Sequence, residues 1–244
     1  MVNLLYTELL KLKRSEMFIA SLAGAVAAPL LSFIGFMSIN ERHPEAPISF
    51  GDAFHQTSLY IVLLIGMLLY GVIASYLFSR EYLEDTLKSL LTIPVSRIHY
   101  VFSKLVLLFL WIGVLTLIAW GLTLVLGLIG QFQGLTFDLL VYSFNYYMLG
   151  GFLLFLLSTP VIFVTLLVKN YVPTVIFTII IGMGNLIVWQ SEYRTIFPWS
   201  AAAVITQNDF LPPYPPEYAY ISILLTSIAG LVATLIYFTH ADIH

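Results

Sequence analysis

Charged residues divide this chain more sharply than any local propensity does. Six stretches longer than 20 residues carry no Asp, Glu, Lys or Arg: Met17–Asn40, Ala53–Ser79, Leu105–Phe137, Leu139–Val168, Asn170–Ser191 and Tyr218–Ala241. A helix needs about 20 apolar residues to cross a bilayer. The next gap, Thr195–Asn208, has only 14 residues and is too short. Lipid offers no partner for backbone N–H and C=O groups, so spanning segments are helices or closed barrels. Barrel strands alternate over about 10 residues, and these runs do not alternate. The pattern predicts six transmembrane helices, at about 17–38, 57–79, 105–130, 144–168, 171–190 and 218–239. The fold class is all-α and polytopic, one transmembrane domain over residues 1–244.

Between the second and third runs lies a polar island. Arg80, Glu81, Glu84, Asp85, Lys88, Arg97 and Lys104 fall within 25 positions. Leu83, Leu87, Leu90 and Leu91 recur at i, i+4, i+7 and i+8, which is one helical face. Glu84 and Lys88 form a favourably oriented i,i+4 pair. Pro94 ends the helix, because a residue before proline avoids the helical region. Ser96 can cap the helix that follows from Arg97. These features predict an amphipathic helix at about 80–93. Helix connections need only a few residues, so an insertion of this length argues for a docked partner. The plain alternative is a connecting loop with snorkelling cations.

The placement of cations orients the chain. Lys11, Lys13, Arg14, Arg80, Lys88, Arg97, Lys104 and Lys169 fall on the side of the N-terminus, and only Arg42 and Arg194 fall on the other. By the positive-inside rule both termini are then cytoplasmic. Before the first span, Leu5, Leu9 and Leu12 oppose Asn3, Thr7, Lys11 and Arg14. That predicts an interfacial helix over 2–16, with Lys11, Lys13 and Arg14 against anionic lipid. The alternatives are a basic flank that only sets topology, and a signal peptide cut near Ala25-Val26-Ala27. The uncharged run far exceeds the 7–15 residues of a signal core. On the outer side, residues 196–205 include Phe197-Pro198-Trp199 and are too apolar for a free loop. They predict a short re-entrant helix at the interface, followed by a stiff connector at Pro212, Pro213, Pro215 and Pro216.

Composition excludes several functions. Charged residues are 9% and hydrophobic residues 60%, where a soluble domain carries roughly 25% charged residues. Mean hydropathy is +0.95. With no cysteine, disulfides, thiolate metal sites and a Cys nucleophile are excluded. His43 and His55 lack metal-ligand spacing, and no metal site is expected. No predicted span contains an ionisable Asp, Glu, Lys or Arg, so the relays of a proton-driven transporter are missing. A Na⁺ site built from carbonyls and Asn145, Asn185 or Gln190 stays open. There is no G-x-S-x-G, H-E-x-x-H or intramembrane carboxylate pair, so no catalytic residue is assigned, and no P-loop binds ATP. Any uphill transport then draws its energy from another subunit. Tyr142, Phe144, Tyr146 and Tyr147 cluster at the outer end of the fourth span. They form either an interfacial belt or an aromatic wall. In the second reading Tyr142, Phe144, Asn145, Tyr146, Asn185 and Trp199 mark a path for an amphipathic substrate.

At the island the chain resembles the type-2 ABC exporter permeases. That family carries Glu, Thr, a Leu pair, Pro, Ser-Arg and a later Lys between spans 2 and 3; here these are Glu81 or Glu84, Thr86, Leu90-Leu91, Pro94, Ser96-Arg97 and Lys104. Asp85 stands where the family has Gly, which favours continuous helix over a turn. Lys169-Asn170-Tyr171-Val172 and Phe197-Pro198-Trp199 are most similar to the small permeases of bacitracin-export and lantibiotic-immunity systems. The resemblance implies the membrane subunit of an ATP-driven exporter in the bacterial plasma membrane, not itself an enzyme. Its partners would be an ABC ATPase subunit, which holds ATP and Mg, and a second permease chain; no nucleic acid is implied. Glu81, Glu84, Asp85, Thr86, Leu87, Lys88, Leu90, Leu91, Pro94, Ser96, Arg97 and Lys104 would couple to the ATPase. Gly121, Gly127, Ala23 and Ala27 are candidates for a dimer face. The alternative is a scaffold or sensory subunit that recruits a cytoplasmic partner through the same helix.

Overall fold

The computed structural model describes residues 7–10, 15–42, 47–84 and 96–240, and these are helical almost throughout. The helices are α1 (Glu16–Arg42), α2 (Phe50–Leu83), α3 (Arg97–Ile129), α4 (Phe137–Val168), α5 (Tyr171–Trp189), α6 (Pro198–Gln207) and α7 (Glu217–His240). All but the ten-residue α6 are long and apolar enough to cross a membrane. The protein is therefore a multi-pass membrane protein with the six spans expected.

Three helices start earlier than their uncharged runs. Ser49 accepts a hydrogen bond from the Gly51 N–H, Ser96 from His99, and Thr136 from Leu139. These caps place the starts at Phe50, Arg97 and Phe137, where the charge gaps gave 57, 105 and 144. A charge gap reports the thickness of hydrocarbon, whereas a helix begins where its first N–H groups find an acceptor. At its other end α2 continues unbroken to Leu83, with Glu84 as its C-cap. Residues 80–83 are thus the last turn of the second span and not the start of a separate helix. Residues 85–95 lie outside the described residues.

Packing places α2 and α4 at the centre. In its most apolar stretch α2 has 67% of its residues buried, against 22% in α5. α4 contacts α2, α3, α5, α6 and α7, while α1 lies against α3 and α2. α7 approaches α4 closely at Gly230, where a Cβ would lie 2.5 Å from the Pro160 nitrogen. There Thr159 Oγ1 donates to the Ser227 carbonyl at 2.8 Å. Lys169 adopts the left-handed conformation (φ 56°) and Asn170 caps α5, so two residues suffice to join α4 to α5. α2 contains one π turn, Ile61–Ile65, followed by Gly66. Asn185 of α5 donates to the Leu63 carbonyl within that turn at 2.8 Å.

The two ends of the bundle differ in charge. Arg80, Arg97, Lys104 and Lys169 gather at one end, where α2, α4 and α7 finish and α3 and α5 begin. Lys104 reaches Leu77 and Glu81, Arg97 reaches Phe238 and Thr239, and Lys169 stands 5.9 Å from the Tyr82 ring. Arg194 stands at the opposite end, bonded to Asp209.

Candidate functional site

The site grows from the two helices that enter and leave the polar island. The last turn of α2 presents Glu81, and the second turn of α3 presents Lys104. Both side chains turn inward, 1% and 0% exposed. Lys104 Nζ donates to Glu81 Oε2 at 2.5 Å and also to the Leu77 carbonyl. Glu8 Oε2 lies 4.0 Å from the same ammonium. The Tyr100 and Phe78 rings complete the wall, 5.2 and 5.7 Å from Nζ. One buried ammonium thus meets two carboxylates, a carbonyl and two aromatic faces.

A buried charge is tolerated only when it is paired and hydrogen-bonded. Removing one partner of a buried pair costs about 3–5 kcal/mol, because the other charge is stranded. The pair therefore fixes the ends of α2 and α3 to each other. It also fixes 7–10, whose Leu9 and Leu10 are exposed while Glu8 is buried. The clamp thus joins the two helix ends that flank residues 85–95 in the chain. A second polar tie joins α3 to α7: Arg97 donates to the carbonyls of Phe238 and Thr239, each at 3.1 Å. Ser15 and Tyr76 share a hydrogen bond of 2.8 Å, tying α1 to α2.

The residues expected from the sequence have different fates. Glu81 and Lys104 come together, which their separation in the chain does not reveal. Both lie just beyond the expected spans 57–79 and 105–130, in helix turns that extend past the uncharged runs, so a charge-gap reading does not show the pair. Glu84 is half exposed and pairs with Arg80 at 2.7 Å. Ser96 caps α3 as expected. Asp85, Thr86, Leu87, Lys88, Leu90, Leu91 and Pro94 lie outside the described residues, as do Lys11, Lys13 and Arg14. Glu8 was missed; its signal is a carboxylate within a basic segment, legible only once Lys104 is seen to have a second carboxylate beside it.

Among the described residues the proposed aromatic path is brought together in part: the Tyr142 and Tyr146 rings lie 5.3 Å apart. Tyr142 and Asn145 are exposed, while Tyr146 is buried with its ring 5.4 Å from Tyr147. Phe144 packs on Trp120 instead, 5.6 Å between centroids. Asn185 is enclosed against α2 and Trp199 is buried within α6. Gly127 faces inward onto Phe50, where a Cβ would lie 2.3 Å from Cε1, and so is no part of an open dimer face. Among the described residues no cluster of His, Asp and Glu is placed to hold a metal ion.

Comparison with known proteins agrees with this architecture. The chain is 59% identical over 208 residues to the bacitracin transport permease protein BCRB of Bacillus licheniformis, covering 85% of this chain and 100% of that protein. Residues 4–185, which include Glu8, Glu81 and Lys104, match the model of the ABC-2 family transporter protein. With that match over most of its length and six helices long and apolar enough to cross a membrane, the chain belongs to the ABC-2 transporter family.

Proposed function

We propose that this protein is the membrane subunit of an ATP-driven exporter that moves a hydrophobic or amphipathic compound, such as a peptide antibiotic of the bacitracin type, out of the bacterial plasma membrane or cell. The observation that carries this reading is the 59% identity to a bacitracin transport permease along the full length of that relative. The subunit works with separate ABC ATPase subunits, which hold ATP and Mg, and with a second permease chain. Its termini are cytoplasmic, which accords with the gathering of Arg80, Arg97, Lys104 and Lys169 at one end. Residues 2–16 lie on the inner surface, and α6 sits at the outer interface.

In this reading the segment from Leu83, at the end of α2, to Ile93 docks in a groove of the ATPase through the Leu83, Leu87, Leu90 and Leu91 face, with Glu84, Asp85, Thr86 and Lys88 at its edges. Closure of the ATPase pair on ATP presses on the island. A push on a free loop would be absorbed by its own backbone. Here α2 and α3 are joined by Lys104 and Glu81 directly below the island, so a displacement moves both helices as one body. Arg97 passes the motion to α7. The aromatic packing at the far end serves as the pivot.

The test uses the absence of native cysteine. A single Leu87→Cys is paired with single-cysteine versions of the co-expressed ATPase subunit. A crosslink that changes with ATP is expected. No crosslink from any position between 83 and 91, in correctly inserted protein, would reject the docking model and favour a scaffold that recruits some other partner.

A further inference from the structure

A groove runs along the outside of the bundle between α3, α4 and α7, with a volume of about 450 Å³. That is within the range of about 300–1,000 Å³ typical of ligand sites. Its walls are Phe102, Val106 and Phe109 of α3, Phe155 of α4, and Leu224 and Ile228 of α7. Phe102, Phe109, Leu224 and Ile228 are exposed, so the groove opens sideways, toward where lipid would be. Its two hydroxyls are already engaged: Thr159 donates to the Leu156 and Ser227 carbonyls, and Ser227 to Ile223. A polar ligand would find no unused partner there, and burying an unpaired polar group is costly. The occupant must be hydrocarbon.

The length and the mouth say which hydrocarbon. Phe102 to Phe109 covers about 10 Å of helix at 1.5 Å per residue. A single leaflet contributes about half of the 30 Å hydrocarbon core, so the groove suits one lipid chain and is too short for a partner's spanning helix. His99, Phe102 and Val106 follow at i, i+3 and i+7, so the exposed His99 sits on the groove's face one turn nearer the cationic end. Arg97 binds the last turn of α7 beside it. The first turn of α3 contains no acid, and a helix N-terminus favours negative charge. We propose that this groove is a binding site for an anionic phospholipid, with one acyl chain between α3 and α7 and the phosphate at the Arg97–His99 end. The site does not depend on the transport reading.

The test is photolabelling of the whole protein in nanodiscs, using phosphatidylglycerol or phosphatidylcholine with a diazirine in the acyl chain, followed by peptide mapping. Groove peptides of α3 and α7 are expected to be labelled several-fold more by phosphatidylglycerol than by phosphatidylcholine, while the exposed face of α5 around Ile176 and Ile180 shows no preference. Val106→Trp, which fills the groove, is expected to remove labelling there and leave α5 unchanged. His99→Glu, on the exposed rim, is expected to remove the preference for phosphatidylglycerol without filling the groove. Even labelling across groove and α5, or groove labelling indifferent to Val106→Trp, would overturn the proposal. So would an efficient Ile228→Cys disulfide between two copies in native membranes, which would make the groove a protein interface.

Discussion

The two ends of the bundle are held by different forces. At the Lys104 end, helices are joined by a few directional bonds: the Lys104–Glu81 pair, Arg97 on the α7 carbonyls, and Ser15 on Tyr76. At the Trp199 end they are joined mainly by rings. Phe50, Phe54 and Phe132 stack and cross one another, Phe54 lies on Trp120, and Tyr147 meets Phe54 edge-on. A ring cluster spreads its attraction over many weak contacts, each losing little for a small shift. A buried ion pair is made or broken as a unit. The polar end can therefore hold a defined geometry and transmit a displacement, while the aromatic end resists separation without setting discrete states.

The comparison breaks most visibly at Lys104. Lys104→Met should cost about 3–5 kcal/mol by stranding Glu81, seen as a lowered midpoint in thermal unfolding of the purified protein, and should abolish transport in vesicles. Adding Glu81→Leu should restore part of that stability, since apolar replacements of a buried pair are often neutral, while transport stays low. Full transport by the single variant would remove the clamp from the mechanism. At the ring end, Gly127→Leu should cost about 1–3 kcal/mol through overpacking on Phe50, yet leave transport per folded molecule unchanged. Asn185→Ala leaves the Leu63 carbonyl of the π turn without its donor and should cost about 1–3 kcal/mol, read in the same unfolding assay. The smallest effect belongs to the half-exposed Arg194–Asp209 pair. Asp209→Asn should cost about 1 kcal/mol or less and fade further with added salt.

How far the sequence carries can be seen residue by residue. Ser96 was legible as a cap because capping is local: the accepting side chain and the donating His99 N–H are three positions apart. The Lys169-Asn170 turn was legible because two polar residues between long apolar runs leave no room for anything else. The extent of α2 was not legible, since Arg80 and Glu81 look like the start of a separate docking helix until Lys104 is found to pair with Glu81 inside the fold. The packing of the outer aromatic residues was not legible for a related reason. Tyr142, Phe144 and Tyr146 are neighbours in the chain, but a helix turns 100° per residue and sends Phe144 to Trp120 and Tyr146 toward Tyr147.

The sequence by itself determined the solvent, the number of spans and the position of the island, because hydropathy and charge are summed along the chain and need no partner. Only the tertiary structure decided that Glu81 and Lys104 form one buried clamp with Glu8 beside it, that Gly127 serves the core, and that α3, α4 and α7 leave a groove between them. Those facts depend on which helix faces meet, and in lipid every face of these helices is apolar enough that the pattern of hydrophobic residues no longer marks the inside.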